Sequence, residues 1–570
     1  MDYKFDVRRK DAAARIGRLE VNGKCVETPA LMPVYNPNRP TLTVDEMRRE
    51  FGMPCLMTNA YMLLKSEELK ERVLSEGLHK FLGFKGLIAA DSGSYQLMVY
   101  GAVETTNKEI IKFEEDIGSD IGSFLDIPTP PDTYKPRAKE HLATTLERAK
   151  EAKDAKFLVN AAIQGGKYPD LRAQAAAEIS KDFSLVAVGG IVPLMESYRF
   201  AELVHVIAAA KENMPQDRVV HAFGLGHPMV FPLAALLGCD LFDSAAYALY
   251  AQDGRYMTDY GTVHVENLEY MSCRCPVCAQ HGLAIKRLYG EDKVRALARH
   301  NLHVSYAMLD KVKQAITEGS LWELVLLQAR AHPKLMQATE ALMEHTQWIS
   351  ELDPITKDSS FYPTGPESTL RSEVLNAKAR LSNLSTQNTI DLPAFGLVNE
   401  ELLDIYPFNG VISLTDDVKP KIRDIHKLRA IMEYQFGRGA GELLPDNLVV
   451  KKSRNTKRIR WLYEGNEMVA SVRASDHFII PHEKLAIRLK EKFPTPKLRV
   501  IMSDDEESLK CVREGKSAMC KFVKDVDPSL RCGDECIIVD GKDNFIRCAT
   551  LMLSPREIKD YKRGMAARSR

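Results

Sequence analysis

Over the first 250 residues, short apolar runs alternate with longer amphipathic segments, and each run ends on a polar or glycine-rich stop. The runs cover residues 30–34, 55–58, 86–90, 121–125, 157–163, 184–188, 218–223 and 241–242. Runs this short, without alternation, suit strands buried on both faces of a parallel sheet. The segments between them, such as 138–152 and 171–179, are rich in the Ala, Glu, Lys and Arg that helices favour. Eight such units predict an α/β fold, a (β/α)8 TIM barrel. An open doubly wound sheet is the alternative built from the same units.

The stops carry the candidate chemistry. Asp91 follows the third run, Asp126 ends the fourth, Gln164-Gly165-Gly166 closes the fifth and Gly189-Gly190 the sixth. Gly224-Leu225-Gly226-His227-Pro228 follows the seventh, and Asp243 the eighth. In a barrel these positions share one rim, where such enzymes keep their active sites. Singly, each aspartate is as well explained as a helix cap and each glycine as a turn. Three carboxylates and an amide at four strand ends of one sheet point instead to a site. Paired carboxylates on opposite sides of a small pocket suit glycosidic chemistry, one attacking the anomeric carbon while the other handles the leaving group's proton. Asp126 with Gln164 offers acceptors and donors for a purine-like edge. Backbone freed at Gly189-Gly190 lets a planar ligand approach closely.

Composition narrows the setting. With 45% hydrophobic and 27% charged residues the chain reads as soluble and globular, and 570 residues predict three or four domains. No apolar run reaches the roughly 18 residues of a membrane span, and the charged start lacks a signal-peptide core. The 11 cysteines form no small-domain framework, which places the protein in a reducing compartment, the cytoplasm. Net charge is zero, so attraction to a polyanion must be local. Lys451, Lys452, Arg454, Lys457, Arg458 and Arg460 crowd one stretch, and Lys562, Arg563, Arg568 and Arg570 the end. They are either solvated faces or phosphate contacts.

The stretch Asp91-Ser92-Gly93-Ser94-Tyr95-Gln96 resembles the signature loop of tRNA-guanine transglycosylases. Gln164-Gly165-Gly166, Gly189-Gly190-Ile191, Phe223-Gly224-Leu225-Gly226 and Leu241-Phe242-Asp243-Ser244 resemble further family motifs, in family order, across residues 28–300. The resemblance implies Asp243 as nucleophile at ribose C1′ and Asp91 as general acid/base. It implies Asp126, Gln164 and Gly190, with Ser92 and Ile191, as readers of the base edge, and Tyr95 and Phe223 as a sandwich on its faces. The implied reaction is a double displacement through a covalent tRNA–enzyme intermediate, without hydrolysis or ATP.

Cys273, Cys275 and Cys278 make a C-x-C-x-x-C cluster, which in a cytosolic protein reads as a metal site. His300 matches the family's His-Asn-Leu ligand; His281 and His303 compete for that role. Three thiolates and an imidazole leave no open position, so the expected Zn2+ is structural. The spacing does not fit the common iron–sulfur motif of radical enzymes.

Boundaries are expected as a barrel over 1–340 with an inserted zinc subdomain at about 270–305, small α+β domains over 341–430 and 431–497, and a last module over 498–570. Residues 350–366, rich in Pro, Asp, Ser and Thr, read as a linker. The last module, with expected strands at 497–502 and 535–539 and a hairpin around Gly541, resembles a PUA domain, a small β-barrel RNA binder. Its Cys511, Cys520, Cys532, Cys536 and Cys548 read as core cysteines. Such an extension points to the archaeal branch. That branch replaces guanine at position fifteen, in the tRNA D-arm, with 7-cyano-7-deazaguanine (preQ0), the first tRNA step towards archaeosine. Homodimers occur in the family, although no residue fixes one here.

Three other functions share parts of this pattern. An archaeosine synthase paralogue lacks the nucleophile and carries a Pro-Cys-x-x-Lys-Pro-Tyr motif, whereas both aspartates stand here and that motif is absent. A queuine-type enzyme acting on the anticodon wobble guanine carries Leu-Ala-Val-Gly-Glu in its bacterial members, where this chain has Ile191-Val192-Pro193-Leu194-Met195. A non-catalytic tRNA binder does not account for the intact carboxylates.

Overall fold

The N-terminal residues form a three-stranded antiparallel meander, β1 (Tyr3–Asp11), β2 (Ala14–Val21) and β3 (Lys24–Thr28), ahead of the first apolar run. Asn22-Gly23, both at positive φ, makes the tight turn from β2 to β3. The computed structural model describes residues 2–95, 104–415 and 420–570. They divide into two units, 1–317 with 324–342 and 318–323 with 343–570.

In the first unit the eight apolar runs become parallel strands. These are β4 (Ala30–Pro33), β5 (Cys55–Asn59), β6 (Leu87–Asp91), β7 (Ile121–Gly122), β8 (Leu158–Ile163), β9 (Leu185–Val188), β10 (Val219–Ala222) and β11 (Leu241–Ser244). The sheet runs β4-β11-β10-β9-β8-β7-β6-β5. Val34 bridges Met57, and Tyr35 N–H donates to the Met57 carbonyl at 2.7 Å, bringing the two edges together. The fold is therefore the (β/α)8 barrel, and the open sheet is excluded.

One run falls short of its expected length. The β7 ladder stops at Gly122, four residues before Asp126, because side chains take over its backbone partners. Glu114 Oε2 accepts from Ser123 N–H at 2.9 Å, Asn107 Oδ1 from Leu125 N–H at 2.8 Å and Thr145 Oγ1 from Ile127 N–H at 3.0 Å. Asp126 thus sits on a side-chain-braced loop rather than at a strand end.

The meander lies across the N-terminal end of the barrel. Leu19, Val21 and Val26 share one core with Leu87, Ile121, Leu158, Leu185, Val219 and Leu241, the first residues of six barrel strands. Arg15, also buried, pairs with Asp240 at 2.7 Å and fixes this end. The opposite end carries the C-terminal residues of the strands, Asn59, Asp91, Ile163, Val188, Ala222 and Ser244 among them.

The second unit holds a hairpin of β14 (Thr389–Leu392) and β15 (Gly396–Asn399), β12 (Arg255–Thr258) and β13 (Gly261–His264) belonging to the first. A four-stranded antiparallel sheet follows, β16 (Val449–Lys452), β17 (Ile459–Glu464), β18 (Glu467–Val472) and β19 (Ile479–Pro481). The last sheet runs β21-β25-β24-β23-β20-β22, from β20 (Arg499–Met502), β21 (Ala518–Met519), β22 (Val523–Val526), β23 (Glu535–Val539), β24 (Phe545–Leu551) and β25 (Met565–Ser569). The expected strands at 497–502 and 535–539 are β20 and β23. The expected hairpin joins β23 to β24 through a turn in which Asp540 Oδ1 accepts from Lys542 and Asn544 N–H.

The linker expected at 350–366 is corrected. Asp353 and Phe361 are buried, and Lys357 pairs with Asp353 at 3.1 Å and with Glu373 at 2.9 Å. Its Pro, Asp and Ser content marks turns, and those turns are packed into the unit.

Candidate active site

Asp91 ends β6, and its backbone places the carboxylate at the barrel mouth. Asn59, ending the neighbouring β5, donates Nδ2–H to Asp91 Oδ2 at 2.9 Å, and Gly93 N–H donates to Oδ1 at 3.3 Å. Burial outweighs these two bonds, and the charges of Asp243 and Asp126 add to it, so the Asp91 carboxyl is raised to about 7. A carboxyl balanced there can give or take a proton near neutrality.

Asp243, within β11, is nearly buried. Its Oδ1 accepts from Gly224 N–H at 2.5 Å and from His221 Nε2 at 2.8 Å. Asp126 and Gln164 are joined, Gln164 Nε2 donating to Asp126 Oδ2 at 2.5 Å, while Thr129 N–H donates to Gln164 Oε1. Burial pushes the Asp126 carboxyl up, against hydrogen bonds from Ser94 and Gln164. Beside this pair a Cβ on Gly189 would stand 2.4 Å from Gln164 Nε2. Gly190, at φ +68°, would bring one 3.0 Å from Gln164 Oε1. The two glycines are therefore required by the close approach, and by the left-handed backbone at Gly190.

The remaining expected site residues fall around this centre. Ser92 is buried: its hydroxyl donates to the Phe124 carbonyl at 2.9 Å and lies 3.1 Å from the Ser94 hydroxyl, and its N–H donates to Ser123 Oγ at 2.8 Å. Ile191 is buried and opens the short helix Val192–Glu196. Tyr95 is 40% exposed on the rim, and Phe223, partly buried, follows β10 with its ring 5.0 Å from that of His221. Gln96 lies outside the described residues. Asn59 and His221 were not singled out from the sequence. Both had a signal: Asn59 follows the second run as Asp91 follows the third, and His221 interrupts the apolar seventh run.

Cys273, Cys275, Cys278 and His300 form a second group, with one donor atom from each lying within 4.8 Å of the others. His300, on the long helix Gly290–Glu318, turns Nδ1 to Cys278 Sγ at 3.3 Å and Cys275 Sγ at 3.5 Å, and donates Nε2–H to the Met257 carbonyl at 2.8 Å. That outer bond fixes which ring nitrogen faces the thiols, as is usual for a metal-ligating histidine. The Tyr256 ring stacks on His300 at 3.6 Å. His303 is committed elsewhere, to Glu50 at 2.8 Å, and His281 is not among the four. Unpaired thiols and an imidazole at this spacing suit a tetrahedral metal ion.

In the second unit the six basic residues line the β16–β17 hairpin. Lys451, Lys452, Arg454, Lys457 and Arg458 are exposed; Arg460 is half-buried and donates to the Val472 carbonyl at 3.0 Å. Lys452 pairs with Asp424 at 2.7 Å, and Lys451 lies 4.2 Å over the Tyr463 ring. Arg454, Lys457 and Arg458 form no ion pair among the described residues.

A floored β/α barrel with two carboxylates at its mouth, above a paired Asp126–Gln164 edge and a glycine wall, defines an enzyme of glycosidic-bond chemistry. Residues 10–334, more than half of the chain, match the family model described as Queuine tRNA-ribosyltransferase. The chain belongs to the tRNA-guanine transglycosylase family of pentosyltransferases. Residues 426–496 match the patch-forming domain C2 of tRNA-guanine transglycosylase, and residues 502–570 the PUA domain.

Relatives extend over the whole chain. A tRNA-guanine(15) transglycosylase of Thermococcus onnurineus is 44% identical, covering 100% of this chain and 99% of its own. That of Pyrococcus furiosus is 43% identical over 100% and 97%, and that of Methanocaldococcus jannaschii 36% over 99% of each. Among the described residues no helix is long and apolar enough to cross a membrane.

Proposed function

We propose that this chain exchanges the guanine at position 15 of the tRNA D-arm for preQ0, in the cytoplasm, as the first tRNA step towards archaeosine. The observation that carries this reading is that Asp91 on β6 and Asp243 on β11, with β4 and β5 between their strands, face a mouth edged by Asp126, Gln164 and Gly190. The full-length likeness to proteins named tRNA-guanine(15) transglycosylase supports the choice of position.

In the proposed reaction Asp243 attacks ribose C1′. A C–O bond forms, the C1′–N9 bond breaks with its electron pair leaving on guanine, and Asp91 supplies the proton. PreQ0 then enters, loses its N9 proton to Asp91 and attacks C1′, and the ester electrons return to Asp243. Asp126, Gln164 and the Gly190 backbone read the base edge, with Ser92 and Ile191 shaping the wall behind them. Tyr95 and Phe223 close on the base faces, with stacking adding to the hydrogen bonds.

The metal is proposed to be Zn2+, held by Cys273, Cys275, Cys278 and His300. With four protein donors it has a structural task, tying residues 273–278 to the helix Gly290–Glu318. The tRNA backbone is proposed to lie on Arg454, Lys457 and Arg458, with Lys451, Lys452 and Arg460 beside them.

The test is to incubate purified protein with tRNA and labelled preQ0 and to map the product by sequencing and mass spectrometry. PreQ0 at position 15 is the expected result. Incorporation in the anticodon loop would instead make this a queuine-type enzyme.

A further inference from the structure

The two oxygens of Asp243 are not equivalent. Oδ1 holds both hydrogen bonds, from Gly224 N–H at 2.5 Å and from His221 Nε2 at 2.8 Å, while Oδ2 accepts none among the described residues. His221, fully buried on β10, is itself held: Asn160, on β8, donates Nδ2–H to His221 Nδ1 at 2.9 Å. A neutral imidazole has one ring proton. With Nδ1 accepting from Asn160, that proton is on Nε2, aimed at Asp243.

This chain of three polar side chains crosses the interior of the barrel from β8 to β11. Its apolar surroundings make it costly: Asn160 Oδ1 is buried without a hydrogen-bond partner. Fold stability alone would favour aliphatic side chains at positions 160 and 221, as at their neighbours Ala161, Ala162, Val220 and Ala222. The arrangement is better explained by what it does to the carboxylate.

We infer that His221 is a positioning residue that, with Gly224, ties down Oδ1 of Asp243 and leaves Oδ2 as the attacking oxygen, Asn160 setting the required imidazole tautomer. The inference rests on Asp243 being the nucleophile. When the Oδ2–C1′ bond forms and the C1′–N9 bond breaks, Oδ1 becomes the ester carbonyl and keeps its two donors. When the ester is cleaved by the incoming base, the same donors meet the returning negative charge. Throughout, the carboxylate is denied rotation about its Cβ–Cγ bond, so the reactive oxygen faces the mouth in each half of the exchange.

The test compares adduct formation with tRNA, trapped by denaturation, in the wild type, His221→Leu, His221→Gln and Asp243→Asn. His221→Leu keeps the volume and removes the donor; His221→Gln restores an N–H near the Nε2 position. His221→Leu is expected to melt like the wild type, bind tRNA with unchanged Kd and form adduct about 100-fold more slowly, the order of loss for a misaligned reacting group. His221→Gln is expected within about tenfold of the wild type, with KM unchanged in both.

A wild-type rate in His221→Leu overturns the inference, as does a His221→Gln variant equally slow while melting normally. Should His221→Leu not fold, His221→Asn replaces it, since its amide is too short to reach Asp243; equal rates for His221→Asn and His221→Gln then overturn the inference. In a crystal of the trapped adduct the ester is expected through the oxygen remote from Gly224, and an ester through the other oxygen also overturns it. An adduct in Asp243→Asn would mean that the nucleophile reading has failed, a result separate from any outcome at His221.

Discussion

Asn59 and Asp91 end adjacent parallel strands in register, and the Asn59 amide donates to the Asp91 carboxylate at 2.9 Å. This bond favours the ionised carboxylate. Burial and the neighbouring Asp243 and Asp126 favour the neutral acid and prevail, raising the Asp91 carboxyl to about 7.

Opposite pH dependences for the two half-reactions are therefore expected. In the proposed reaction guanine departure needs protonated Asp91, so adduct formation should fall as pH rises through about 7. Discharge by preQ0 needs the ionised form and should fall as pH drops through the same value. Rapid-quench measurement of each half-reaction between pH 5 and 9 checks this; parallel profiles would contradict it.

The same shift links to stability. A carboxyl raised from 3.8 in the unfolded chain to about 7 favours the fold fully at low pH, and that contribution is lost as pH climbs towards 7. Asp91→Asn should consequently melt higher relative to the wild type at pH 8.5 than at pH 5, while base exchange falls by several powers of ten. Melting curves of both proteins at the two pH values give the answer.

Asp243→Asn removes the attacking charge and leaves an isosteric side chain. Exchange of labelled guanine should fall by several powers of ten, and no denaturant-stable tRNA adduct should form. An adduct that survives would direct attention to Asp91.

Gly189→Ala tests the base edge. Its methyl would fall 2.4 Å from Gln164 Nε2 and push that amide off Asp126. KM for preQ0 should rise about tenfold or more while the melting temperature changes little, consistent with loss of hydrogen-bonded recognition rather than of fold. An unchanged KM would mean that Gln164 does not read the base.

Cys275→Ser should reduce bound zinc and lower the melting temperature together, because metal binding is coupled to folding. Full metal occupancy with unchanged melting would rule out this ligand set. A metal other than zinc in the purified protein would leave the cluster standing and change only its occupant.

For the proposed tRNA surface, substitution is a cleaner probe than truncation at residue 498. Arg380 pairs with Asp534 at 2.6 Å and Ile355 N–H donates to the Cys532 carbonyl, so removing the last module would strip partners from residues 355–380. Arg454→Glu with Arg458→Glu should weaken tRNA binding, reduce the slope of log affinity against log salt by about 2, and leave preQ0 binding unchanged. An unaltered slope would return these side chains to the role of solvated surface.

The barrel was legible because its strands are buried on both faces and stop at polar residues such as Asp91, and the Cys–His cluster because C-x-C-x-x-C has few other uses. The meander was not, since its strands bury only part of their surface and leave no continuous apolar run. The early end of β7 was hidden as well. Glu114, Asn107 and Thr145 replace the ladder from distant positions, and no local pattern announces such a substitution. Residues 350–366 misled for a related reason, since turn-forming composition says where a chain bends and nothing about what covers it. His221 was passed over because one polar residue within an apolar run is more often a satisfied core side chain; its meaning comes only from the register that sets it beside Asp243.

Leu19, Val21 and Val26 stopper the barrel from below. In the proposed exchange both bases therefore use the mouth at the other end, where the covalently held tRNA of that scheme would stand. The outgoing guanine must back out past the ribose it has just left before its replacement can enter. The floor of the barrel, far from any reacting atom, thus leaves the two bases of the proposed exchange to come and go from the same side.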